Sequence, residues 1–153
     1  MLMASGKIHE ANEGCACAMN NVIQQFIANL QLADGEFALM DMEAGIEHFG
    51  RGVDNGVDLL LMIVEPSYES LRLSKKIQEL GGSIGKPVWF VLNKVTEDTR
   101  EAMLKTVADS QKIAAVVPAD TKVAIAGLTG AELTGSYPAI EGLARELIEG
   151  KVR

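Results

Sequence analysis

Residues 57–67, VDLLLMIVEPS, set an almost unbroken apolar run against an abrupt ending at Glu65, Pro66 and Ser67. A run this short, without apolar–polar alternation and closed by turn-forming residues, predicts a strand buried on both faces, as in a parallel sheet. Three more runs share the pattern: FALMD (37–41), PVWFVLN (87–93) and IAAVVP (113–118), and the opening MLMA has the same character. Helical signals lie between them. Val22, Ile23, Phe26, Ile27 and Leu30 recur at helical spacing. Ser67 is placed to cap a helix after Pro66, with Glu69 in its first turn and Leu71, Ile77 and Leu80 turned inward. Thr96 followed by Glu97 and Asp98 reads as a second start, because acids favour the positive end of the helix dipole. Ser136 and Pro138 open a last helix whose apolar stripe is Ile140, Leu143, Ala144, Leu147 and Ile148. Strand alternating with helix predicts one α/β domain over residues 1–153. Its expected architecture is three-layer α/β/α and doubly wound, with a mainly parallel sheet and right-handed crossovers.

Composition narrows the function classes. The chain has 153 residues, 48% apolar and 23% charged, enough to bury a real core and too apolar for wholesale disorder. Its net charge is −7, with 14 Lys and Arg scattered along the chain, which argues against nucleic acid as a partner. No window approaches the roughly 18 unbroken apolar residues of a membrane span, and no basic start leads into an apolar leader. A cytoplasmic protein with no membrane partner is the expectation. Two cysteines make no disulfide framework, and a cytosolic setting keeps them reduced.

In doubly wound folds, ligands gather at the carboxyl ends of the strands. The segments leaving the four runs are DMEAG (41–45), EPS (65–67), NK (93–94) and PAD (118–120), a polar rim suited to a nucleotide. A carboxylate at Asp41 can hold Mg²⁺ directly or through water, and Gly45 lets the backbone approach a phosphate and then move. An aspartate that merely ends a strand at a turn explains the same residue. Asn93 can read a base edge with its amide, or simply start a turn; Pro118 and Asp120 are equally open taken alone. In EAGIEHFGRG, residues Glu43, Glu47, His48 and Arg51 allow a base, a metal ligand or a switch ion pair. Neither His48 nor His9 is assigned a catalytic role.

Both cysteines, Cys15 and Cys17, fall in EGCACAMN (13–20). Two thiolates at i and i+2 can grip one soft or borderline metal ion but supply only two of the four sulfurs of a closed tetrahedral site. A twofold dimer, in which the segment meets its own copy, supplies four. Two small residues near a helix start, or a redox pair, remain alternative readings.

The order of these segments resembles the CooC family, the nickel-insertion ATPases that mature carbon monoxide dehydrogenase and relatives of the MinD-like P-loop ATPases. The resemblance runs from GKIHEANEGCACAMN through LMDMEAGIEHFGRGVDNGVDLLLMIVEPS to VWFVLNKV and VVPAD; DMEAGIEHFGRG followed by VEPS is its most specific part. It implies that Cys15 and Cys17 bind a nickel or zinc ion with their symmetry mates in a homodimer, for delivery to carbon monoxide dehydrogenase. It further implies that Asp41 and Gly45 belong to the switch sensing Mg²⁺ and the γ-phosphate of ATP. Asn93, Pro118 and Asp120 would line the adenine end.

One departure stands out. The family's phosphate-binding loop, of the GKGGVGKT type, has no counterpart; Gly6-Lys7, GGSIGK (81–86) and GLTGAELTG (127–135) all lack the pattern. That loop supplies the N–H cradle and lysines for phosphate and the hydroxyl on Mg²⁺. The expectation is the carboxyl-terminal part of such an ATPase, missing the P-loop strand and inactive alone. In the superfamily that strand lies between those ending at Asp41 and Glu65, so a slot between them, or their direct pairing, is expected, with an aggregation-prone edge. A metal-binding module without ATPase activity and a MinD-like positioning ATPase are the rival readings. The last helix ends in ARELIEGKVR, whose acids suit anionic lipid poorly.

Overall fold

The computed structural model describes residues 17–42, 46 and 56–152. Cys15, Glu43, Gly45, Glu47, His48, Arg51, His9 and the opening MLMA lie outside the described residues. The chain forms two compact units, residues 1–58 and 59–153.

In the first unit, the apolar spacing yields helix α1, Cys17–Asn29. Only part of the expected stripe is used: Ile27 is buried, whereas Val22 is exposed. A Cβ on Gly56 would come 2.4 Å from Ile27 Cγ2, so glycine is what admits the chain to this side of the helix. Beyond α1 a turn closes with Ala33 N–H donating to Glu36 Oε2 at 2.8 Å, Gly35 taking a φ of 82°. The expected strand FALMD is not formed. Residues 37–42 carry no ladder among the described residues, and Phe37 and Leu39 are 62% and 90% exposed. An apolar run satisfies its backbone as a strand only where a neighbouring strand meets it.

In the second unit the remaining three runs become strands β1 (Leu60–Val64), β2 (Val88–Val95) and β3 (Ile113–Pro118), all parallel, in the order β1-β2-β3. Helices α2 (Tyr68–Ser83) and α3 (Glu97–Thr106) make the two crossovers; α4 (Thr121–Thr129) and α5 (Pro138–Ile148) follow β3. β1 pairs with β2 from Leu60↔Val88 to Val64↔Leu92, and its other edge carries no ladder among the described residues. β2 is the core. Val88, Phe90 and Leu92 on one face, Val91 on the other, and Val95 at the strand's end are all buried, the pattern a continuous apolar run implies.

The helix starts follow the sequence. Ser67 caps α2 by accepting from Ser70 N–H at 3.2 Å. Thr96 and Thr99 form a reciprocal capping box at α3. Buried Ser74 is satisfied twice, donating to the Leu71 carbonyl at 2.7 Å and accepting from Ala108 N–H at 3.2 Å, which ties α2 to the loop after α3. A Cβ at Gly81 would sit 2.3 Å from Val88 Cγ2, so glycine lets α2 close onto the start of β2. Pro138 takes a first-turn position of α5, as its fixed φ and missing N–H favour. Ile140 and Ile148 of its expected stripe are exposed.

Candidate nucleotide site

The carboxyl edge of the sheet gathers Glu65, Asn93, Lys94, Pro118 and Asp120 within the second unit. A cavity of about 170 Å³ opens there, lined by Val95, Thr96, Glu97, Arg100, Val116 and Pro118. It is smaller than the roughly 300–1,000 Å³ of drug-sized ligand sites and suits one ring system rather than a whole nucleotide. Its floor is apolar because β2 and β3 end there, and its wall is polar because α3 begins there.

Asn93 is half-buried, and among the described residues no hydrogen bond satisfies its side-chain amide. Polar groups drawn out of water ordinarily find partners, so an amide left open at the sheet edge is one that a ligand can satisfy. Pro118 is exposed at the rim. Asp120 caps α4: its Oδ1 accepts from Lys122 N–H at 2.7 Å and from Val123 N–H at 3.4 Å. That helix had no sequence-based expectation, although an aspartate before an apolar stretch and Gly130 after it were both visible signals.

Sequence reasoning also missed the pair that flanks Asn93. Lys94 has a φ of 56°, left-handed backbone that among the described residues no other non-glycine adopts. At this point β2 advances from Leu92 to Val95 while β3 advances only from Val116 to Pro118, so β2 holds an extra residue. Pairing resumes at once, with Ala119 N–H donating to the Val95 carbonyl at 2.9 Å. The Lys94 ammonium meets the Glu65 carboxylate at 2.7 Å across the ends of β1 and β2. The left-handed turn costs a non-glycine residue about 1–2 kcal/mol. An ion pair this exposed returns about 0–1 kcal/mol, so the arrangement is not explained by stability. No signal in the sequence gives it away, since the bend comes from strand register.

Asp41 belongs to the first unit, where it is exposed. Cys17 is the first residue of α1. Among the described residues no three His, Cys, Asp or Glu side chains converge on a metal position.

No protein-family model matches the chain. In fold it is similar to the MinD cell division protein of Aquifex aeolicus, with a TM-score of 0.51 and 19% identity over 65% of this chain and 48% of that one. An uncharacterised ATP-binding protein of Methanocaldococcus jannaschii is 46% identical over 140 residues, 92% of this chain and 56% of the relative. The carbon monoxide dehydrogenase accessory protein CooC of Rhodospirillum rubrum is 30% identical over 148 residues, 96% of this chain and 56% of the relative. The parallel sheet with its crossover helices is thus a MinD-like fold. Within it, the chain is a homologue of CooC and of the Methanocaldococcus ATP-binding proteins. It spans about half the length of these curated relatives. Among the described residues no helix is long and apolar enough to cross a membrane.

Proposed function

We propose that this chain is the base-reading and metal-carrying part of a CooC-type accessory ATPase, which delivers nickel to carbon monoxide dehydrogenase. The observation that carries the nucleotide half of this reading is the open amide of Asn93 at the carboxyl edge of the sheet, on the strand whose Val95 lines the cavity. An adenine there would exchange hydrogen bonds with the Asn93 amide and lie over Val95, Val116 and Pro118. Asp120 contributes by fixing α4 behind that rim. Asp41 and Gly45 would act on the Mg²⁺ and γ-phosphate side.

The metal half rests on Cys15 and Cys17 together with the likeness to CooC. Nickel is here the cargo, with zinc as a competitor for the same thiolates. Two copies of the segment would hold one ion between four sulfurs, and parting the copies would halve the ligand set at once, which suits a site that must release its metal.

Metal content and mass of the purified chain test this directly, beside a Cys15→Ser, Cys17→Ser double variant. About one nickel or zinc per dimer is expected, with metal and dimer both lost in the variant. A metal-free chain whose association ignores both cysteines would sink the clasp. A second reading is a metal-binding module that takes no nucleotide. Adenosine titrated into the chain separates the two. Saturable binding that disappears in Asn93→Ala supports the nucleotide site, and its absence leaves the module.

A further inference from the structure

The strained end of β2 points to a role that the nucleotide reading alone does not assign. We infer that Glu65 and Lys94 are positioning residues: their ion pair locks a left-handed bend at the end of β2 and thereby fixes the base-reading amide of Asn93. The inference rests on the reading of Asn93 as a base contact.

Three observations meet at this point. The first is the bend. A non-glycine residue at a φ of 56° persists only where its surroundings impose it, and such positions concentrate at ligand sites. The extra residue in β2 sits where Asn93 and Lys94 leave the ladder, between the pairs Leu92↔Val116 and Val95↔Pro118. Ladder bonds therefore clamp the chain before and after the two residues, but not at them.

The second is the anchor. Glu65 is pinned through its backbone, its N–H donating to Ser70 Oγ at 2.9 Å and its carbonyl accepting from Ser67 N–H at 2.7 Å. Ser67 and Ser70 are themselves the cap of α2. The Glu65 carboxylate thus swings from a fixed point, and the pair β1 Val64↔β2 Leu92 sets that point level with Asn93. A regular strand would carry Lys94 one residue further along. The left-handed turn brings its ammonium back to 2.7 Å from the Glu65 carboxylate.

The third is what remains unpaired. Glu65 and Lys94 satisfy each other, and Thr96 is satisfied in its capping box, whereas the amide between them has no partner among the described residues. The Asn93 amide is thus open to a ligand at this edge. Preorganised polar groups of this kind supply orientation and specificity in small-molecule sites.

The test uses the whole chain, ¹⁵N-labelled, with adenosine and guanosine as probes, in wild type and in the variants Glu65→Gln, Lys94→Val, Lys94→Arg and Asn93→Ala. The Asn93 side-chain amide signal is expected to shift or broaden in Glu65→Gln and Lys94→Val and to keep its place in Lys94→Arg, which retains the cation. Adenosine affinity should fall by up to about fivefold in Glu65→Gln and in Lys94→Val, the most that an exposed ion pair can supply, and further in Asn93→Ala. Combining Glu65→Gln with Asn93→Ala should add no further loss. Preference for adenosine over guanosine should shrink in the same variants. Unchanged Asn93 signals and unchanged affinity in both Glu65→Gln and Lys94→Val would overturn the inference. If wild type binds neither nucleoside, the nucleotide reading falls by itself. The Asn93 signal then decides the lock: a shift in Glu65→Gln absent from Lys94→Arg upholds it, and no shift defeats it. Valine at position 94 opposes the bend; should Lys94→Val fail to fold, Glu65→Gln, which leaves the backbone alone, decides between the two outcomes.

Discussion

PVWFVLN at 87–93 and FALMD at 37–41 are two apolar runs of similar character that meet opposite fates. The first becomes β2, where Phe90 and Leu92 are 0% exposed; in the second, Leu39 is 90% exposed and no strand forms. Side-chain chemistry does not separate them. Position in a ladder does: β2 has β1 on one side and β3 on the other, while residues 37–42 have neither edge paired among the described residues. Hydrophobic pattern nominates a strand, and hydrogen-bonded neighbours decide whether it exists.

The sharpest way to break this comparison is truncation of β2's centre. Phe90→Ala should cost about 3–5 kcal/mol, the range for emptying a packed aromatic site, read from chemical denaturation. A loss below about 1 kcal/mol would mean that β2 is not the core.

Much of this outcome is legible in the sequence, for a physical reason. The three formed strands, the Ser67 cap and the Thr96 start are local features, written in residues within a few positions of one another. The failure at 37–41 is not local, because ladder partners come from distant sequence. The Lys94 bend is hidden likewise, since it arises where β2 and β3 fall out of register. The start of α4 is legible in principle, because an aspartate precedes its apolar stretch. A nucleotide role for Asp120 masks that signal, although its carboxylate makes the ordinary hydrogen bonds of a helix cap.

That helix gives a smaller test. Asp120→Ala should cost about 1 kcal/mol, the usual loss of a cap, and should loosen α4 without disturbing β2. Amide exchange would show protection lost at Lys122 and Val123 and kept at Phe90 and Leu92. Uniform loss would mean that the rim and the strand core are one cooperative piece.

Acid provides a further contrast. At the start of α5, Glu141 accepts from the Ser136 hydroxyl at 2.7 Å and from Tyr137 N–H at 3.2 Å. The Ser136 bond first, then the Tyr137 bond, and also nearby Arg145 hold its carboxyl below the ordinary carboxylate value. A group whose pKa is lowered by folding stabilises the fold above its unfolded pKa, and that contribution disappears as pH falls through the folded value. The first turn of α5 should therefore fray as pH falls below the ordinary carboxylate value, while β2, whose buried side chains carry no ionisable group, keeps its protection. Glu141→Gln should flatten the acid response of the Tyr137 amide.

The least effect is expected where the comparison began. Leu39→Ala removes a large apolar side chain, as Phe90→Ala does, yet Leu39 already stands in water and leaves no cavity behind. Its cost should lie within about 0.5 kcal/mol, the range of surface substitutions. A loss of about 2 kcal/mol or more, well outside that range, would show that Leu39 is covered in solution, by another part of the chain or by a second copy. Concentration dependence tells these apart: a loss that shrinks on dilution belongs to an intermolecular cover, and a constant one to the chain itself. Either result would move residues 37–41 back towards the strand their pattern predicts, with the missing ladder neighbour identified by the concentration at which it acts.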